Sequence, residues 1–381
     1  MRCVRTLTSR SQGPDAGPGE PLREPDREDR HKPAVPPPLR DKPQEASTPD
    51  TSSAPKIGRA PAAQKLWALV VEPMEAGPRA LLGRRLDVLY RPGLGTGSPA
   101  LLYRILSALA PTVLIVRNRT RVDSTLLTHA APSLRVVGRL GTGLDNIDQS
   151  ALARRGIRLV ATPGTGASAV AELVFAYLLH VSRALEAANA HVRAGGWDRD
   201  QMGGHDLAGR RLGLVGMGEV GLRVALRARA FDMRVAAYDP HLPRHAFPFE
   251  SMGVERAETL DALLARVDFV SLHVPLTSET HHLIAANALS RMRPGSHLIH
   301  TARGAVVDEA ALEAGLRSGR IAGCLLDVRE HEPPLSPDPL AAFPQVVMTP
   351  HIGGLTQEAR IRTGRELVRG VLAALAEISA S

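Results

Sequence analysis

Lysine is almost missing from this chain. Of its 381 residues 47 are Lys or Arg, yet the only lysines are Lys32, Lys42, Lys56 and Lys65, and from Leu66 onward every fixed cation is arginine. A P-loop Gly-Lys, a kinase strand lysine, a Schiff-base lysine and a Tyr-x-x-x-Lys dehydrogenase site are thereby excluded from the body of the chain. Cysteine is as scarce: Cys3 and Cys324 alone make no disulfide framework and no Cys-based zinc or iron–sulfur site, so no metal is expected and a reducing compartment, the cytoplasm, is the default. Aromatic residues make up 3%, too few for a base-stacking surface. No apolar run approaches the ~18 residues of a membrane span. Neither nucleic acid nor membrane is an expected partner, although a net charge of +8, from 47 basic against 39 acidic residues, would invite both.

What is present is a globular composition, 44% hydrophobic and 23% charged. At roughly 100–200 residues per domain the length suggests two domains, three at most. The first sixty-odd residues stand apart. Pro14, Pro18, Pro21, Pro25, Pro33, Pro36, Pro37, Pro38, Pro43, Pro49, Pro55 and Pro61 punctuate mixed charges without apolar periodicity, so residues 1–64 are expected to be a disordered extension. A start codon misplaced upstream is a second explanation of the same segment.

From Leu66 short β-branched runs alternate with helical stretches. Strands are expected over Leu66–Val71, Leu86–Tyr90, Val113–Val116, Leu134–Val137 and Ile157–Ala161, with helices over Pro99–Leu109 and Gln149–Arg155. One long helix is expected from about Ser168 to about Arg193. Its apolar arc is too wide for a single buried face, which favours a subunit interface over burial within its own domain. A second series, Leu212–Val215, Met233–Tyr238, Phe269–Val274, His297–Thr301, Gly323–Val328 and Val346–Met348, suits a six-stranded doubly wound sheet, and Thr356–Ile378 reads as a final amphipathic helix. The fold class is therefore α/β, with two Rossmann-like or flavodoxin-like domains on parallel sheets.

The strongest local motif is Gly216-Met217-Gly218-Glu219-Val220-Gly221. It follows a strand, opens a helix, and is followed by a second strand that ends at Asp239, eighteen residues after Gly221. Glycines there permit a tight turn and close approach of a pyrophosphate to a helix N-terminus, and an acidic residue at the next strand end suits a ribose hydroxyl while repelling a 2′-phosphate. NAD is the expected cofactor. Ligands of such sheets lie outside the carboxyl ends of the strands. At those exits stand Val274 after His273, Thr301-Ala302-Arg303, the run Asp327 to Pro334 containing Glu332, and Thr349-Pro350-His351-Ile352-Gly353-Gly354. Arg303 offers a fork for a carboxylate, His351 an acid/base of near-neutral pKa, and Glu332 an acceptor to orient the imidazole. His331 is the rival of His351 as acid/base.

These segments, with Gly141-Thr142-Gly143-Leu144-Asp145-Asn146-Ile147-Asp148 ahead of them, resemble the NAD-dependent D-2-hydroxyacid dehydrogenases over about Leu66 to Ile378. The resemblance implies that Arg303, Glu332 and His351 are the catalytic trio. It implies cofactor contacts from Gly216, Gly218, Glu219, Val220, Gly221, Asp239, Val274, Thr301, Ala302, Asp327, Gly353 and Gly354, with Asp327 on the nicotinamide carboxamide. It places Thr142 and Gly143 over substrate and cofactor. It also implies a discontinuous substrate domain, residues 65–164 and 352–381, around a cofactor domain at 165–351, and a homodimer, or a tetramer, built partly on the Ser168 to Arg193 helix.

Within the family the 3-phosphoglycerate dehydrogenases are most alike. Val116-Arg117-Asn118-Arg119-Thr120-Arg121 and Arg139-Leu140-Gly141 resemble their substrate loops, where Arg117 and Arg139 would serve a small, multiply anionic 2-hydroxy or 2-oxo acid. Hydroxypyruvate, glyoxylate and sulfolactate dehydrogenases are the enzymatic alternatives. An NAD-sensing, corepressor-like interaction protein is the alternative of another class.

Overall fold

The computed structural model describes residues 66–380; the proline-rich extension expected over residues 1–64 lies outside the described residues. A first run of elements is β1 (Trp67–Val70), α1 (Ala76–Gly83), β2 (Asp87–Tyr90), α2 (Pro99–Leu109), β3 (Val113–Val116), α3 (Ser124–His129), β4 (Val136–Arg139), α4 (Gln149–Arg154) and β5 (Arg158–Val160). Its five strands pair in the order β2-β1-β3-β4-β5, all parallel. In β3 all four residues are buried, the unbroken apolar run demanded of a parallel strand covered on both faces.

Next come α5 (Ala167–Ser182), α6 (Leu185–Arg193), β6 (Arg211–Val215), α7 (Glu219–Ala230), β7 (Arg234–Tyr238), α8 (Phe247–Glu250), β8 (Glu255–Arg256), α9 (Leu260–Leu264) and β9 (Phe269–Leu272). The chain finishes with α10 (Ala286–Arg291), β10 (Ser296–His300), α11 (Glu309–Arg317), β11 (Ile321–Leu326), β12 (Val346–Met348) and α12 (Gln357–Ala380). The second sheet is parallel, in the order β12-β11-β10-β9-β6-β7-β8. Helices α9, α10 and α11 pack on one face and α5 and α7 on the other.

The last helix does not stay with the second sheet. Leu367, Val368, Val371, Ala374 and Leu375 of α12 share a core with Ala68, Val70, Val113, Ile115 and Val136 of the first sheet and Leu82 of α1. A side chain at Gly138 would meet Leu367 and Val371 at 3.3 Å, so β4 and the helix approach closely. Each sheet reverses its strand order once, between β1 and β3 and between β6 and β9, and such reversals open a crevice at the carboxyl ends of the strands.

Several expectations need correction. The sheet expected to have six strands has seven, because β8 adds two residues at its edge. β4 begins at Val136 rather than Leu134, which packs from the preceding turn, and ends on a buried Arg139. Helices α1 and α3 were not expected: α1 carries Pro78 and two glycines, and α3 is only six residues long, started by the Asp123 side chain accepting from Leu126 N–H.

The single helix expected from Ser168 to Arg193 is two helices bent by 56°. At the break Ala184 is left-handed at φ 45°, and the Ser182 carbonyl turns outward to accept from His205 N–H at 2.6 Å. The wide apolar arc is covered within the chain over α5, where Ala171, Val174, Phe175, Tyr177 and Leu178 pack with Val224, Ala225 and Ala228 of α7. Leu179, Leu185, Val192 and, beyond α6, Trp197 remain exposed.

Candidate active site

The exits of both sheets line one cleft of about 2050 Å³. From the first sheet come Glu72 after β1, Arg117 after β3, and Arg139, Thr142, Gly143 and Asp145 at and after β4. Glu219 and Val220 open α7; Val274, Thr301, Ala302, Arg303, Asp327, Glu332, His351 and Gly354 follow the central strands of the second sheet.

His351 and Glu332 meet there. The imidazole Nδ1–H donates to Glu332 Oε2 at 2.8 Å and Oε1 at 3.1 Å, which leaves Nε2 for proton exchange. Burial would raise the Glu332 pKa, but the bonds from His351 and from Arg329 N–H, with the charge of Arg303, outweigh it and hold the carboxylate below its ordinary range. His351 has φ +55°, a left-handed backbone that costs a non-glycine residue about 1–2 kcal/mol. Its surroundings impose that conformation. Its N–H donates to the Asp327 carbonyl at 2.8 Å, and the Asp327 carboxylate accepts from Thr349 Oγ1 at 2.7 Å and from Ile352 and Gly353 N–H at 2.8 Å. Asp327 thus pins the turn that carries His351. His331 is exposed and does not line the cleft.

Arg303 reaches across to the other lobe. Its Nε donates to Asp145 Oδ2 at 2.6 Å and its Nη1 to the Ala302 carbonyl at 2.7 Å. Gly143 makes room for it, since a Cβ there would lie 1.7 Å from Arg303 Nη2. Arg139 is 7% exposed, gives one Nη1 bond to the Leu140 carbonyl and has no partner for Nε. Burial, then the charge of Arg303, lowers its pKa to about 10, so it stays a cation at neutral pH. Arg117 is lowered as well, by burial first and by Arg360 next.

The glycine turn stands at the second sheet's reversal. Gly216 has φ +94°, and a Cβ on it would lie 2.8 Å from the His273 carbonyl; one on Gly221 would lie 2.3 Å from the Gly216 carbonyl. Those two positions admit no side chain. At Gly218 a Cβ would meet nothing within 4 Å, which leaves bare backbone at the N-terminus of the twelve-residue α7. Asp239 closes the turn, accepting from Met217 N–H at 2.9 Å. Bare backbone, a helix N-terminus and a carboxylate at the next strand end are the donor and acceptor set a dinucleotide requires, so these residues fit NAD. Gly216, Gly218, Gly221, Asp239 and Gly353 are not among the residues that line the cleft.

Residues 175–353 match the family model described as D-isomer specific 2-hydroxyacid dehydrogenase, NAD binding domain. The (S)-sulfolactate dehydrogenase of Chromohalobacter salexigens is 45% identical over 262 residues, covering 69% of this chain and 84% of that protein. The chain belongs to the D-2-hydroxyacid dehydrogenase family. The D-3-phosphoglycerate dehydrogenase of Methanocaldococcus jannaschii is 39% identical over 268 residues, and the chain spans half of that longer protein. Among solved structures, the D-lactate dehydrogenase of Aquifex aeolicus, complexed with NAD and lactic acid, superposes with a TM-score of 0.71 at 29% identity over 81% of this chain and 95% of that one. As a member of the family the protein is an NAD-dependent oxidoreductase acting on CH–OH.

Three residues of this dehydrogenase escaped the reading of its sequence as parts of the site. Asp145 lies inside the matched Gly141 to Asp148 run, but its ion pair with Arg303 depends on the approach of two lobes. Glu72 is 1% exposed and accepts from the N–H groups of Arg117, Arg119 and Thr120, and only the pairing of β1 with β3 makes that visible. Arg360 lines the cleft from α12, nine residues beyond His351, on a helix whose pattern shows only amphipathicity.

Proposed function

We propose that this enzyme interconverts a D-2-hydroxy acid bearing a second anionic group and its 2-oxo acid, with 3-phosphoglycerate the leading candidate. One observation carries the reading: Arg117, Arg139 and Arg303 line the same cleft as the His351–Glu332 pair. Arg303 grips the substrate carboxylate through its Nη groups while Asp145 holds Nε. His351 takes the hydroxyl proton on Nε2 during oxidation and returns it during reduction, and Glu332 steadies the imidazolium so formed. Bound NAD supplies the acceptor for the hydride that leaves substrate C2. Gly218, Glu219 and Val220 would hold its pyrophosphate and Asp239 its ribose. Val274, Thr301, Ala302, Asp327 and Gly354 would line the nicotinamide end, with Gly353 supporting it through its N–H bond to the Asp327 carboxylate. Thr142 and Gly143 lie across from them as the lid over substrate and cofactor. The first lobe with α12 acts as the substrate domain in this reading.

Sulfolactate is the second reading, favoured by the 45% identical relative of that name. It too carries a second anion, so both readings need the same arginines. We place a homodimer on the exposed Leu179, Leu185, Val192 and Trp197, and the enzyme in the cytoplasm on its two cysteines.

His351→Ala tests the mechanism. Turnover of the preferred acid is expected to fall by about 10²–10⁴-fold with NADH affinity kept, and near wild-type turnover by a folded variant would overturn the assignment. Should the wild type bind NADH and turn over no 2-hydroxy acid, the corepressor-like alternative gains.

A further inference from the structure

The cleft takes up the carboxyl ends of the second sheet's strands; at their amino ends lies a separate hollow of about 490 Å³, within the ~300–1,000 Å³ of small-molecule sites. Arginine dominates its wall. Arg211 opens β6 and Arg234 opens β7, Arg210 precedes the first of them, and Arg266 and Arg293 come from the turns that lead into β9 and β10. These strands lie side by side in the order β10-β9-β6-β7, so at about 4.8 Å per strand the row of arginines runs for roughly 14 Å. Asp268 is the one acidic residue in the lining, and both its oxygens are taken, Oδ1 by Arg293 Nη1 and Oδ2 by Arg211 N–H at 2.9 Å. Arg266 gives its Nη1 to Glu255, which does not line the hollow, and Arg211 gives one bond to the Arg266 carbonyl at 3.3 Å. The guanidinium groups of Arg210 and Arg234 make no hydrogen bond or ion pair among the described residues. Arg211 and Arg234 are also direct partners in adjacent strands, an arrangement in which like charges destabilise a sheet. All five arginines are at least partly exposed, so a ligand can reach their donors.

We propose that this hollow is a second ligand site, which binds a small oligophosphate, a molecule carrying two or three linked phosphoryl groups. Guanidinium forks match phosphoryl oxygens two at a time. A row about three strand spacings long suits a chain of phosphates better than one phosphate or one carboxylate. Bound there, the ligand would offset the repulsion between Arg211 and Arg234 and stabilise the folded chain. The site stands at the opposite ends of the strands from His351 and rests on neither the catalytic reading nor the cofactor.

The test is calorimetric titration of the full chain, saturated with NADH to fill the cofactor cleft, with metal-free tripolyphosphate in about 0.1 M salt, where distant charges are screened. One ligand per chain is expected, with a Kd raised about tenfold or more in the double variant Arg210→Gln/Arg234→Gln and kept in Arg117→Gln, which alters only the cleft. ATP bound through the same two arginines at least as tightly would assign the site to a nucleotide, and binding of tripolyphosphate alone to a free phosphate chain. No binding at millimolar tripolyphosphate, or a Kd within twofold of wild type in the double variant, would overturn the proposal. So would a loss seen in Arg117→Gln instead, which would put the anion in the cleft. A short DNA duplex held more tightly than tripolyphosphate by the same arginines would replace the small ligand with a nucleic-acid backbone and overturn it too. If the double variant fails to fold, Arg234→Gln alone gives the same comparison, with about a threefold loss expected.

Discussion

Arg303 shows how much one missing carbon decides. Its guanidinium lies where a side chain on Gly143 would stand, 1.7 Å from a Cβ built there, while Asp145 and the Ala302 carbonyl fix its other nitrogens. Gly143→Ala should therefore push the guanidinium off its place without touching the glycine turn at Gly216 to Gly221. The expected result is a KM raised about tenfold or more for every 2-hydroxy acid, whatever its tail, with NADH affinity unchanged. Steady-state kinetics and NADH titration check it, and an unaltered KM would show that Arg303 does not hold the substrate. The rule that ligands sit at strand exits is enough to bring Arg303, Glu332 and His351 to one edge from sequence. It says nothing about Asp145 or Arg360, since an ion pair between lobes, or a cation on a returning helix, leaves no local pattern.

Among the elements, the loop after β11 shows how the chain holds a catalytic carboxylate steady. Arg329, 8% exposed at its side chain, donates Nε and Nη2 to Glu309 of α11 at 2.9 Å, and Nη1 and Nη2 to Asp338, while its N–H donates to Glu332. Those bonds raise the arginine pKa. Burial would raise Glu309, but the guanidinium overrides it and holds it below its ordinary 4.5; the same guanidinium holds Asp338 below 3.8. Arg329→Met would leave two partly buried carboxylates facing each other, at a cost of about 3 kcal/mol and several degrees of Tm at neutral pH. Both carboxylate pKa values are depressed on folding, so the stabilisation is present above their unfolded values and lost as pH falls through the folded ones. The Tm gap between wild type and variant should narrow below about pH 4; a gap independent of pH would mean packing, not charge, sets the loss. Elements of this kind were partly legible. Strands β3 and β12 and helix α2 follow from apolar runs and a leading proline. β8 and α1 do not, because two residues of edge pairing and a helix containing Pro78 lack a periodic signature, and the break at Ala184 is set by a distant N–H, that of His205.

The whole molecule changes the meaning of its charge. A net +8 suggests a polyanion partner when read as a sum, yet Arg117, Arg139, Arg303 and Arg360 all line one cleft sized for small molecules. Concentrating them there required the chain to interleave its two lobes, and that has a consequence for folding. The face of the first sheet carrying Ala68, Val70, Val113, Ile115 and Val136 is covered by α1 and by Leu367, Val368, Val371, Ala374 and Leu375 of α12, with Leu367 and Val371 fully buried. At about 1.5–3 kcal/mol for each large apolar side chain buried, removing that helix forfeits an amount comparable to the whole stability of a small domain, about 5–15 kcal/mol. A fragment of residues 66–164 should therefore show no cooperative thermal transition by circular dichroism. The same fragment joined through a flexible linker to residues 352–380 should melt cooperatively, since the linker restores the apolar cover that the native chain brings only after building the second lobe. A sharp transition in the shorter fragment would show that the first sheet is self-sufficient and that α12 is present for Arg360 and the cleft rather than for the core.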